Sequence, residues 1–269
     1  MQFEMTFLGT NGSCAFNGGN RVKYGTNTLC LAVKAGNETL IFDAGSGICG
    51  FGGLRDYQQD HLRLFFSHYH IDHTSGLLFF SSLFNPQRKI DLYGMGNSGA
   101  DFLTTIDKYL SPPLHPAGLA EFKASLQFHL VNSGDVLPLS DGVKIRSFAL
   151  SHPGSAMGYR VEYRGKSLCY CTDIELADHH NDTDLEDFTR NADLLILDTF
   201  FNDGKVIPTW GHSSPVECAE WAKRVNAKRL ALFHYGFAAS DADIDALEEN
   251  ARTIFPNAFA SADFMRVEM

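Results

Sequence analysis

The chain has 269 residues, of which 44% are hydrophobic and 20% charged, enough to bury a substantial core in a single domain spanning residues 1–269. Its formal net charge of −10 argues against a surface of clustered Lys and Arg built to displace counterions from long nucleic acid, so a small substrate is expected. Six cysteines (Cys14, Cys30, Cys49, Cys169, Cys171, Cys218) form no CxxC pair, and no apolar run reaches the roughly 18 residues that span a bilayer. Free thiols, no membrane partner and a cytoplasmic location are therefore expected.

Apolar, β-rich runs bounded by turn residues predict strands at 3–8, 28–33, 39–42, 62–66 and 89–93. Helical periodicity places helices at 75–83 and 98–109. In the second half the strands fall at 143–150, 158–163, 167–171, 194–198 and 229–233, with helices at 185–191, 215–225 and 242–254. Ser213-Ser214-Pro215 followed by Glu217 reads as a capped helix start with proline in the first turn. Two sheets packed together with helices outside would produce this order, although the order alone does not single out one fold.

Loops that follow strand ends carry the chemistry. Directly after the strand at 62–66 comes Ser67-His68-Tyr69-His70-Ile71-Asp72-His73, three imidazoles and a carboxylate within six residues. His68 and His70, two apart in an extended segment, project to one side and can share a metal ion, while Asp72 and His73 turn toward a second. His152, Asp173 and His234 occupy equivalent strand-end places and bring the candidate ligands to seven. The remaining histidines, His61, His115, His129, His179 and His180, show no such pattern, and the last two read as solvated surface in an Asp/Asn-rich loop.

This arrangement resembles the metallo-β-lactamase superfamily over nearly the whole chain, which implies an α/β fold, the four-layer αββα sandwich. The resemblance implies that His68, His70 and His152 hold one ion, that Asp72, His73 and His234 hold the other, and that Asp173 bridges them. It also implies that Asp43 orients a ligand histidine. Two divalent ions are then the cofactors: Zn²⁺ suits the histidines best, and Mn²⁺ or Fe²⁺ also suits mixed ligation. A hydroxide shared between such ions is the expected nucleophile.

The loop Gly211-His212-Ser213-Ser214 resembles the His-Ser-Thr motif of the phosphodiesterase branch, which includes ribonuclease Z and cyclic-phosphate diesterases. His212 is then expected beside the substrate phosphate, with Asp198 orienting it, so the catalytic residues are His212, Asp72 and Asp198. Transfer-RNA 3′ processing enzymes of this branch carry a protruding arm between the motifs matching His152 and Asp173, where this chain has only twenty residues. A small phosphodiester, such as a cyclic nucleotide or cyclic phosphate, is the expected substrate. Hydrolysis of a lactone, thioester or β-lactam and transfer-RNA processing stand as alternatives, and a homodimer is the default assembly.

Four further features compete for attention. Gly45-Ser46-Gly47-Ile48-Cys49-Gly50 fits GxGxxG, but further glycines at 52 and 53 and the missing acidic strand end argue against a dinucleotide site. Cys169 and Cys171 alternate with Asp173 and could face the same way, but small buried cysteines in a core strand are commoner, and Asp173 already supplies an oxygen donor, so core thiols are expected. The segment 97–122 is placed to line or lid the pocket, and Phe200, Phe201 and Trp210 flank the His212 loop.

Overall fold

The computed structural model describes residues 2–96, 102–116, 118–179, 181–201 and 206–269. The first half of the chain lays down β1 (Phe3–Gly9), β2 (Cys30–Ala35), β3 (Glu38–Phe42), β4 (His61–Phe65), β5 (Lys89–Met95) and β6 (Ser125–Val131) in one sheet. The second half forms the other sheet from β7 (Val136–Pro138), β8 (Lys144–Leu150), β9 (Ala156–Tyr163), β10 (Lys166–Cys171), β11 (Leu194–Asp198), β12 (Leu230–Phe233) and β13 (Ala258–Ala260). The last strand, β14 (Arg266–Glu268), returns to pair with β1 at the edge of the first sheet.

Alternation along the strands makes four layers. Leu40 and Phe42 of β3 face the space between the sheets, where they meet Phe65, Tyr159, Tyr170 and Phe233, whereas Ile41 faces outward with Leu64 and Phe66. Outside the first sheet lie α1 (Ile71–Thr74) and α2 (Phe102–Tyr109); outside the second lie α3 (Thr183–Thr189), α4 (Pro215–Arg224) and α5 (Asp241–Ile254). Burial on both faces explains why β11 reads as the unbroken apolar run Leu194-Leu195-Ile196-Leu197. The expected αββα sandwich is the observed fold.

Strand direction then decides where the site forms. β3 and β4 run parallel, as do β10, β11 and β12, and β8 shares their direction because it is two antiparallel steps from β10. Their carboxyl ends therefore open on a common edge, and the residues that follow them converge there.

Several predicted elements need correction. The helix expected at 75–83 is two 3₁₀ turns, Ser75–Phe79 and Ser81–Phe84. Gly76 lies so close to the 45–53 turn that a Cβ would come 2.0 Å from the Gly45 carbonyl oxygen, and this contact holds the segment flat. Helix α2 begins at Phe102 within the described residues, and 98–101 lie outside them. Strands β6, β7, β13 and β14 were not anticipated: three have only three residues, and β6 mixes exposed polar positions with half-buried apolar ones. The GxGxxG stretch opens a 3₁₀ turn, Ser46–Gly53, and its glycines admit close backbone contacts rather than a nucleotide.

Candidate metal centre

After β4 the chain stays extended through His70, which caps the short α1; His73 then donates its amide to the His70 carbonyl at 3.0 Å. This turn separates the four motif side chains into two directions. His68 and His70 face His152 from the β8 end, with His70 Nδ1 and His152 Nε2 3.3 Å apart. Asp72 and His73 face His234 from the β12 end, where Asp72 Oδ2 lies 3.4 Å from His234 Nε2 and 3.7 Å from His73 Nε2.

Asp173 sits between the two groups. Its Oδ1 is 3.9 Å from His68 Nε2, 3.8 Å from His152 Nε2 and 3.1 Å from His234 Nε2, and its Oδ2 is 3.2 Å from His73 Nε2. All seven residues singled out from the sequence thus meet in one place. Donor atoms of His68, His70 and His152 lie within 4.8 Å of one another, as do those of Asp72, His73 and His234.

Backbone geometry contributes to this convergence. Asp43, Asp173 and His234 follow β3, β10 and β12, and each has positive φ, 58°, 58° and 59°. A non-glycine residue is uncommon there, and such strain persists where surrounding contacts determine it. Asp43 has those contacts: it accepts from the Ser67 amide and hydroxyl at 2.7 Å each, from Tyr170 at 2.7 Å and from His73 Nδ1 at 2.8 Å. The expected partnership of Asp43 with a motif histidine is present.

At the outer side, His212 Nδ1 lies 2.5 Å from Asp198 Oδ2 and 4.0 Å from Asp173 Oδ1. The Phe200 ring stacks on the His212 imidazole with centroids 4.5 Å apart. Phe201 is buried, whereas Trp210 remains half exposed beside the loop. A cavity of about 310 Å³ opens here, lined by Ser13, His70, Ile71, Asp72, Asp173, His212 and His234. No described residue of 97–122 lines it; α2 instead buries Phe102 and Ile106 on the first sheet. A larger groove beside Lys144, Arg164 and Lys228 contains none of these imidazoles.

Several supporting residues escaped the sequence reading. Glu175 accepts from the amides of Thr209 and Gly211 at 3.1 and 3.0 Å, and the Gly211 carbonyl meets His152 Nδ1 at 3.0 Å. Ser13 donates its amide to Asp72 Oδ2 at 2.7 Å, and Gly12 lies against the His234 ring. Nothing local marks Glu175, but the Gly12-Ser13 turn after β1 carries a visible glycine signal.

Other expectations are corrected. His179 is buried, pairs with Asp182 at 2.8 Å and accepts from the Ser151 amide at 3.1 Å; His180 lies outside the described residues. His61 and His129 both face Asp91, at 2.7 and 3.8 Å. Cys169 and Cys171 are buried core thiols, as expected, and point into the outer helix layer opposite to Tyr170, while the positive-φ turn after β10 takes Asp173 out of their alternation.

Burial pushes His68, His70 and His152 toward the neutral form, which is the form that ligates a cation. Burial also opposes charge on His73 and His234, but Asp173 and the neighbouring carboxylates outweigh it and raise both. Asp72 and Asp173 would be raised by burial alone; the surrounding imidazoles hold them well below the usual carboxylate range.

The model of the beta-lactamase superfamily domain matches residues 39–235. The chain belongs to the metallo-β-lactamase superfamily. It is a metal-dependent hydrolase of the ribonuclease Z-like branch. Ribonuclease Z of Archaeoglobus fulgidus is 23% identical to it, with 100% of this chain and 98% of that protein covered. Among solved structures, the metallo-β-lactamase fold protein YhfI from Bacillus subtilis matches with a TM-score of 0.74 and 19% identity, covering 99% of each chain. A diphosphatase from the PhnP family matches with a TM-score of 0.70 and 20% identity over 100% of this chain and 98% of that one.

The superfamily fold implies divalent metal ions, and the residues fit them. His68 Nε2, His73 Nε2 and both ring nitrogens of His234 are buried without a hydrogen-bond partner among the described residues. Buried nitrogens seldom stay unpaired, and imidazoles interleaved with carboxylates form a donor set suited to Zn²⁺ and similar ions.

Proposed function

We propose that this hydrolase cleaves small phosphodiesters, a cyclic nucleotide or cyclic phosphate being the expected kind. The observation that carries this reading is the 2.5 Å pair of His212 and Asp198 on the rim of the donor cluster, a group that metal ligation alone does not require. His68, His70 and His152 would hold one ion and Asp72, His73 and His234 the other, with Asp173 shared between them. Zn²⁺ is the proposed ion; Mn²⁺ and Fe²⁺ suit the same donors. Such ions, when bound, supply Lewis acidity toward phosphoryl oxygens and increase the acidity of water.

The protein's own groups do the rest. Asp198 accepts from Nδ1 of His212 and fixes the ring, which leaves Nε2 for the substrate. From there the imidazolium donates a hydrogen bond to a phosphoryl oxygen or a proton to the departing alkoxide. Phe200, stacked on the same ring, restricts its rotation and excludes water from one face.

Substrate size follows from the surroundings. The 310 Å³ cavity has no Lys or Arg among its lining residues, and the twenty residues between His152 and Asp173 are largely the β9–β10 hairpin. Both support a compact substrate over a polyanion. The name ribonuclease Z among the relatives favours a second reading, cleavage of a transfer-RNA precursor.

The test is to assay metal-loaded protein on bis(p-nitrophenyl) phosphate, cyclic nucleotides, a transfer-RNA precursor, and lactone and thioester panels. Turnover of the small diesters above the RNA is expected. Hydrolysis of the carbon esters alone would overturn the reading, and preference for the precursor would establish the second one.

A further inference from the structure

Arg21 is 2% exposed, yet its Nε and Nη2 meet no hydrogen-bond partner among the described residues. Burying a guanidinium with two of its three nitrogens unmet is costly, and an apolar side chain of similar volume would avoid that penalty. Its third nitrogen, Nη1, donates to Asn11 Oδ1, and the guanidinium lies 5.6 Å over the ring of Tyr235, the residue that follows His234. Arg21 therefore bears on two segments that adjoin the metal centre.

Asn11 transmits the contact. Its side-chain amide donates to the Cys14 carbonyl at 2.5 Å and the Gly12 carbonyl at 3.3 Å, clasping the turn between them. Within that turn Ser13 has φ 65°, and its amide donates to Asp72 Oδ2 at 2.7 Å. Gly12 is so close to His234 that a Cβ would come within 2.5 Å of the imidazole. The turn thus touches two proposed ligands of the same ion.

The frame around Arg21 is itself anchored. Asp241, at the start of α5, accepts from the amides of Val22 and Lys23 at 2.8 and 2.9 Å. A movement of the guanidinium is then more easily passed to Asn11 than absorbed by the backbone behind it.

We propose that Arg21 is a positioning residue for the metal centre: through Asn11 it holds the Gly12-Ser13 turn, which fixes the rotation of Asp72 and the place of His234. This rests on the reading that Asp72 and His234 ligate an ion. Outer partners that orient ligands typically alter metal affinity about 10–100-fold, and Arg21 acts one residue further out.

The test titrates metal-free protein with Co²⁺, following its visible spectrum and the affinity of each equivalent by chelator competition. Arg21→Met, Asn11→Ala and the double variant are compared with the parent, alongside thermal unfolding of the metal-free forms. In Arg21→Met the first equivalent should bind as in the parent. The second should bind at least tenfold more weakly with an altered spectrum, and the double variant should be no weaker than the worse single one. Should Arg21→Met fail to fold, Asn11→Ala gives the same readout from the other side of the contact.

Two parent-like equivalents in variants whose metal-free forms are destabilised would make the role structural only and overturn the proposal. If the parent binds no second equivalent, or Asp72→Ala binds both as the parent does, the ligand reading fails first. Those outcomes separate the two ideas.

Discussion

Asp43 Oδ2 and His73 Nδ1 lie 2.8 Å apart although thirty residues separate them in the chain, and the same carboxylate oxygen also receives the hydroxyls of Ser67 and Tyr170. Removing it leaves several buried donors unmet, each costing about 1–3 kcal/mol in isolation and less when summed over one network. Asp43→Ala should lose about 3 kcal/mol in urea unfolding and bind metal about 10–100-fold more weakly in chelator competition. Unchanged affinity would detach Asp43 from the metal centre.

His212→Ala tests proton donation directly. Loss of a general acid should lower turnover about a hundredfold for a diester with an alkoxide leaving group. With bis(p-nitrophenyl) phosphate the loss should be much smaller, because p-nitrophenolate departs without a proton. Equal losses on both substrates would assign His212 to binding the phosphate rather than to the leaving oxygen.

Gly211 has φ 77°, and a Cβ there would come 2.2 Å from His152 Nδ1 and 2.5 Å from Pro153 Cδ. Gly211→Ala should therefore displace His152 and lower metal content toward one ion per chain, as read by elemental analysis. A parent-like content would show that the 209–212 loop yields without moving the imidazole.

Asp263 carries a pH dependence outside the metal centre. Burial raises its carboxyl from 3.8 to about 6, against the Asn27 amide that favours the charged form. The folded state binds this proton more tightly than the unfolded state does, so its contribution is fully present below the unfolded value and is lost as pH rises through about 6. Asp263→Asn stays neutral and should gain on the parent up to about 3 kcal/mol by pH 8. The gap in unfolding midpoint between pH 5 and pH 8 should therefore shrink in the variant; an equal gap would refute the assignment.

Much of the centre was legible because metal ligation needs particular atoms, and few side chains supply them. His68, His70, Asp72 and His73 stand together in the chain, and His152, Asp173 and His234 each follow an apolar run, so residue type and position identified them. The helix expected at 75–83 does not form for the opposite reason: its apolar spacing is helical, but contact with the Gly45 turn overrides local preference. Short edge strands such as β7 and β14 carry too few residues to show a period, and their partners define them.

By itself the sequence determined the candidate donor types and their strand-end places, which follow from local periodicity and donor chemistry, while the αββα layering came from the motifs' resemblance to a known superfamily. Only the tertiary structure decided that Glu175 holds the Gly211 amide, that His179 is a buried partner of Asp182, and that buried Arg21 meets Asn11. Those relationships depend on strand direction, positive-φ turns and burial. They arise where distant segments meet, and no stretch of neighbouring residues encodes them.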